Sequence, residues 1–125
     1  MAKQELTNTR DLTMNNFRRK ELFNKCYMTD IDALEYRYID NKIKFVAIID
    51  YKQWHVKDID QSSIRAQYEL SKQLNIPFYI VWYRIEDDEL EVKLWNVTEN
   101  PNFDKYFLHI RHYDEKKFIK FINEL

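Results

Sequence analysis

The 125-residue sequence contains no glycine. At the usual frequency of roughly 7%, about nine would be expected. Their absence excludes the phosphate-cradling P-loop, the GxGxxG dinucleotide fingerprint and the usual calcium loop together, because each depends on backbone that glycine adopts most readily. Any phosphate chemistry must therefore rest on another device. Proline is scarce, at 2 residues, and the one cysteine, Cys26, has no partner for an intramolecular disulfide; it reads as the filler of a core gap. The longest apolar run, Phe78 to Tyr83, falls far short of the ~20 residues that cross a bilayer. The opening MAKQELTNTRDLT lacks the apolar stretch of a secretory signal, so a cytoplasmic location and no membrane association are expected. Charge of one sign is lacking too. With 20 basic and 21 acidic residues the formal net charge is −1, and no global basic field draws nucleic acid to the chain.

What is present suits one folded domain. Apolar residues make up 45%, aromatics 16% and charged residues 33%, enough for a single core under a solvated surface. Residues 1–12 read as a polar N-terminal arm and residues 13–125 as the domain. From Thr13, a plausible cap, the apolar residues Met14, Phe17, Leu22, Phe23 and Cys26 recur at helical spacing, which predicts a helix over 13–26. The stretches 31–39 and 43–51, separated by Asp40-Asn41-Lys42, read as a β-hairpin, with Asn41 the residue best able to take a positive φ. Ile64, Gln67, Tyr68, Leu70, Ser71 and Leu74 predict a second helix reaching about Asn75. Pro77 restarts the chain in extended form, and Phe78 to Tyr83 reads as a central strand covered on both faces. After the acidic turn at Glu86 to Glu89, the alternation of Leu90, Val92, Leu94 and Asn96 with Glu91, Lys93 and Trp95 predicts a half-exposed strand. Residues 98–112 show no clear period. Residues 113–125 read as an amphipathic helix capped by Asp114. The order helix, two strands, helix, two strands, helix defines an α/β fold with one mixed four-stranded sheet flanked by helices.

The chemistry-bearing feature lies on the first hairpin, where acidic residues interrupt apolar strands. Pairing the strands about a three-residue loop sets Ile39 against Ile43 and Asp32 against Asp50. Side chains alternate along a strand, so Lys52 and Asp30 share that face, whereas Glu35 takes the opposite one. Like charges placed directly across a sheet destabilise it unless a cation compensates, and a hard divalent ion held by two carboxylates is such a cation. A metal on two carboxylates beside an ammonium suits phosphodiester hydrolysis, because the metal polarises the phosphoryl oxygen and lowers the pKa of bound water while the lysine stabilises developing charge or positions the nucleophile.

Taken together, Thr29-Asp30-Ile31-Asp32-Ala33-Leu34-Glu35-Tyr36, Ala47-Ile48-Ile49-Asp50-Tyr51-Lys52, Arg65-Ala66-Gln67-Tyr68-Glu69-Leu70 and Ile76 to Tyr83 follow the order of the PD-(D/E)xK nuclease superfamily, which the chain resembles over about residues 13–125. The resemblance implies a restriction-endonuclease-like core, with Asp32 and Asp50 as the metal carboxylates for Mg²⁺, or Mn²⁺ in its place, and Lys52 as the catalytic lysine. It further implies that Gln67 helps hold the site's water or lysine and that Glu21, on the first helix, stands where some members place an acidic residue. Asp50 stands where the family often has Glu.

Other candidates carry less. His109 and His112 are three apart but lack a third ligand, and His55 is one histidine in a loop. Residues 1–29 hold Lys3, Arg10, Arg18, Arg19, Lys20 and Lys25 against Glu5, Asp11 and Glu21; with His55 and Lys57 they form the basic concentration that would hold DNA phosphates beside the metal. Tyr36, Tyr38, Trp54 and Tyr83 are candidate stacking residues, although strand aromatics usually pack. The expected function is a small metal-dependent endonuclease acting on DNA, with homodimerisation or a targeting partner protein supplying recognition. The alternatives are a catalytically silent assembly module of the same fold, for instance in a phage or mobile-element complex, and a metal-free nucleic-acid-binding protein.

Overall fold

The computed structural model describes residues 11–21, 27–57, 59 and 61–125. Along the chain lie α1 (Thr13–Glu21), β1 (Ala33–Ile39), β2 (Lys42–Gln53), α2 (Gln61–Leu74), β3 (Phe78–Glu86), β4 (Glu89–Asn96), a 3-10 turn (Tyr106–His109), β5 (Arg111–Asp114) and α3 (Glu115–Asn123). The sheet is mixed and has five strands in the order β1-β2-β3-β4-β5. Only β2 and β3 run parallel; every other neighbouring pair is antiparallel. The α/β class stands, and the expected four strands become five. β5 escapes the hydropathy pattern because Arg111, His112 and Asp114 are exposed and only Tyr113 turns inward.

Period-two alternation divides the sheet into two cores. On one face Ile48, Phe78, Ile80, Trp82, Trp95 and Val97 pack with Ile64 of α2, with Tyr68, Phe103 and Tyr106 closing the rim. On the other, Ala47, Ile49, Tyr79, Val81, Val92 and Leu94 pack against Phe118, Phe121 and Ile122 of α3. β3 is the central strand, and its first five residues are buried on both faces. Trp95, expected on a half-exposed strand, is fully buried, because residues 100–106 fold over it and its indole donates to the carbonyl of Asn100 at 2.9 Å.

Asparagine and aspartate do the work of the missing glycine. Among the described residues, the five of positive φ are all Asp or Asn: Asp40 and Asn41, Asn75, Asp87 and Asp88. These are the side chains that tolerate the left-handed region best after glycine. Asn75 ends α2 in a Schellman arrangement, in which the Asn75 amide donates to Lys72 O and the Ile76 amide to Ser71 O, at 3.2 and 3.0 Å. Asp114 accepts from the Lys117 amide at 2.8 Å and caps α3 as the sequence suggests, although Tyr113 and Asp114 themselves belong to β5. At α1 the capping side chain is Asp11 rather than Thr13: its Oδ1 accepts from the Thr13 amide at 2.9 Å. A hydrogen bond from the Thr13 side chain, and then this one from its amide, hold the Asp11 carboxyl below the usual carboxylate range. Met14 and Phe17 are exposed, and among the described residues α1 packs against none of the other elements. The predicted continuation through Leu22, Phe23 and Cys26, and most of the N-terminal arm, lie outside the described residues.

Candidate functional site

The first hairpin turns tightly. Asp40 and Asn41, with φ of 52° and 62°, form a two-residue loop, so Ile39 pairs with Lys42 rather than with Ile43. Carried along an unbroken ladder, that register would set Asp32 against Ile49. The ladder shifts between Glu35 and Tyr36, where Tyr36 pairs with Phe45 but Glu35 pairs with Ala47, leaving Val46 as a β-bulge. Beyond it Ala33 pairs with Ile49, and the next step brings Asp32 opposite Asp50. The expected three-residue loop is thus replaced by a two-residue turn plus a bulge. The juxtaposition of the two carboxylates is the same.

Asp32 lies just before β1, where its backbone no longer pairs, and its Oδ2 accepts from the Tyr51 amide at 3.1 Å. This contact occupies a β2 donor that β1 is too short to reach and holds the Asp32 carboxylate at the strand end. Asp50 and Lys52 stand on the α2 face of β2, two and four residues beyond the buried Ile48. Lys52 Nζ lies 3.4 Å from Asp50 Oδ2, and the two side chains are only 17% and 13% exposed. The Asp50 carboxyl is pushed up to about 6. Burial is the largest cause, a hydrogen bond to Asp32 the next, and the opposing pull of Lys52 recovers only part. Asp50 therefore keeps its proton up to about pH 6, well above the ordinary carboxylate range.

Gln67 faces the same core from α2 and is 2% exposed. Its Nε2 makes long hydrogen bonds to Ser63 O and Oγ, at 3.4 and 3.3 Å, and its Oε1 is buried with no hydrogen-bond partner. None of its hydrogen bonds reaches Asp50 or Lys52. Ser63 Oγ in turn lies 2.6 Å from Thr29 Oγ1, which ties the start of α2 to the segment leading into Asp32. No spacing rule in the sequence flags Thr29 and Ser63 as a pair.

The other sequence candidates lie elsewhere. Glu21 is exposed on α1, which no packed element joins to the carboxylates, and Asp30 is exposed ahead of Asp32. Glu35 faces the α3 side and pairs with Arg37 at 2.9 Å. His109 lines a small polar cavity with Tyr79, Asn96 and Arg111, whereas His112 stands 6.1 Å from the Trp54 ring, so the two imidazoles have different surroundings. His55 and Lys57 are exposed in the loop after β2. Of the basic concentration, Arg18, Arg19 and Lys20 are on α1, and Lys3, Arg10 and Lys25 lie outside the described residues. Among the described residues no group of three or more His, Cys, Asp or Glu side chains is placed to hold a metal ion, and no helix is long and apolar enough to cross a membrane.

Comparison of the chain with protein-family models, curated proteins and solved structures finds no match. Fold and site together define a small α/β protein with a mixed sheet, carrying two facing carboxylates and a lysine near the carboxyl end of its one parallel strand pair.

Proposed function

We propose that the protein is a metal-dependent endonuclease of the PD-(D/E)xK type that hydrolyses DNA phosphodiester bonds. One observation carries this reading: Asp50, with Asp32 facing it and Lys52 beside it, sits half-buried with its carboxyl raised to about 6. A fold that forces two carboxylates together, at an electrostatic cost, has a use for a cation between them.

The donor set fits Mg²⁺. That ion is commonly held by one or two carboxylates and completes its shell with water and substrate phosphate oxygens, so a complete protein cage is not required; Mn²⁺ accepts the same oxygen donors. Bound there, the metal would polarise a phosphoryl oxygen and acidify a water. Asp32, just ahead of β1, and Asp50, on β2, would hold the ion between them, and the Tyr51 amide fixes the Asp32 carboxylate. Lys52 places an ammonium where negative charge accumulates on the phosphorane, or orients the attacking water. Gln67 faces the same core from α2 with an unpartnered Oε1, an acceptor that would take a hydrogen bond from the site's water or lysine. In this reading, recognition falls to a second copy or a partner protein.

The test is incubation with linear duplex, supercoiled, single-stranded and four-way-branched DNA in Mg²⁺, Mn²⁺ or chelator, beside Asp50→Ala and Lys52→Ala. Metal-dependent cutting lost in both variants supports the reading; no cutting by folded wild type overturns it.

A second reading, a catalytically silent assembly module of the kind phage and mobile elements use, is favoured by another observation. Leu34, Tyr36, Tyr38, Ile43 and Phe45 leave an apolar surface exposed on the first hairpin. Well-folded protein that binds neither divalent ion nor DNA favours this reading.

A further inference from the structure

The row of side chains that begins at Lys52 continues across the sheet. Lys52 pairs with Trp82, Trp82 with Lys93 and Lys93 with His112, so all four share the face that carries Asp50. Neighbouring strands stand about 4.8 Å apart, which puts Lys93 roughly 10 Å from Lys52 along this row. Trp82 is buried between them, and its indole donates to Val56 O at 3.0 Å, drawing the loop after β2 back over the sheet. That loop brings Trp54 onto Lys93, whose Nζ lies 4.3 Å from the ring centroid and donates to Trp54 O at 3.4 Å. The Arg84 guanidinium lies 4.2 Å from the same centroid.

Charges around this cluster are unevenly matched. Glu86 and Glu91 both contact Arg84, at 2.7 and 2.9 Å. Asp114 is turned to the Lys117 amide, and Glu115 accepts from the Leu90 amide. Lys93 has no carboxylate within ion-pair distance among the described residues, yet it is partly buried beside Arg84 and Lys57. Burial first, and then these two cations, lower its pKa. An ammonium held against an indole among like charges gains from an arriving anion, and its aromatic support leaves it less mobile than a free surface lysine.

We propose that Lys93, with Lys57 beside it and Trp54 as its support, holds a backbone phosphate of the bound nucleic-acid strand a short way along from the phosphate at Lys52. This rests on the nuclease reading and extends it by giving the strand a direction, away from Asp50 across β3 and β4 toward His112. Lys93 belongs to the substrate-binding surface; Trp54 is a positioning residue. Contact to backbone phosphate carries no base preference, so the effect is uniform across sequences.

Binding of a fluorescent duplex and of one of its strands alone, measured in chelator over a salt series, tests this without cutting. Lys93→Gln is expected to weaken binding several-fold and to flatten the dependence of log affinity on log salt by about one unit, with Lys93→Arg restoring both. A Lys93→Gln protein that keeps the wild-type salt slope overturns the proposal, even if its stability falls, because a packing role alone leaves the slope unchanged. Wild type that binds but does not cut defeats the catalytic reading and leaves the Lys93 result decisive for the binding surface; wild type that binds neither probe overturns both.

Discussion

Asp32 comes to face Asp50 because the bulge at Val46 makes up the residue that the tight turn at Asp40 and Asn41 leaves out. Either feature alone would turn the Asp32 side chain toward the opposite side of the sheet, since a one-residue slip reverses every face. Two features that cancel in count keep both carboxylates on the α2 face of the sheet, and the bulge adds local twist to the hairpin.

The first prediction concerns acidity. Asp50 has its carboxyl raised from 3.8 to about 6 in the folded chain, so its proton is held more tightly folded than unfolded. In chelator, stability should be highest near pH 4, fall as pH rises to about 6, and level off above, with a loss on the order of a few kcal/mol. Mg²⁺ should reverse that slope, because only the ionised pair binds it. Thermal unfolding across pH, with and without the ion, reads both effects.

Asp32→Asn keeps an acceptor for the Tyr51 amide while removing one of the facing charges. In chelator at pH 8 this variant should unfold at a higher temperature than wild type, and Mg²⁺ should no longer stabilise it. Equal melting temperatures with an intact Mg²⁺ shift would show that the two carboxylates do not act together.

Lys52→Ala should leave the Mg²⁺-induced stabilisation in place, since both carboxylates remain, but lower single-turnover cutting by roughly 10²–10³-fold, the usual loss for one group that meets transition-state charge. Loss of ion binding along with cutting would instead assign Lys52 to holding Asp50 in position.

Gln67 buries an acceptor without a partner, which typically costs about 1–3 kcal/mol. Gln67→Met should therefore stabilise the fold by about 1 kcal/mol and at the same time slow cutting. A variant destabilised in urea melts would assign the glutamine to the core alone.

The fold was most legible where burial is two-sided or period-bound. β3 announces itself by an apolar run between Pro77 and the acidic turn, and α2 by Ile64, Gln67, Tyr68 and Ser71 falling on one stripe. β5 was not legible, because it is four residues long, lies at the sheet edge and exposes three of them. The bulge left no trace either, since Val46 sits in an unbroken apolar stretch where any residue could be the extra one. The facing carboxylates could still be read, because turn and bulge together add the same residue as a three-residue loop. Gln67 was legible as a residue on the inward stripe of α2. The Trp54 and Lys93 surface was not, because it depends on pairing four strands and on a loop folded back by the Trp82 indole.

Asn75, at φ 57°, closes α2 where glycine is the usual choice. Asn75→Gly should stabilise the protein by about 0.5–1 kcal/mol, and Asn75→Val should cost about 1–2 kcal/mol, read from chemical denaturation midpoints.

The single parallel ladder also shapes how the chain reaches this structure. β1 with β2, and β3 with β4, close through two-residue turns, which is chemistry of microseconds. The join between β2 and β3 must wait for α2 to form and swing across, a closure of long sequence separation that slows assembly. Asp32, Asp50 and Lys52 all belong to the first and faster piece. The repulsion between Asp32 and Asp50, which Lys52 offsets only in part, is thus met early, before the core can balance it, and a divalent ion captured by the nascent hairpin would speed folding as well as stabilise its product.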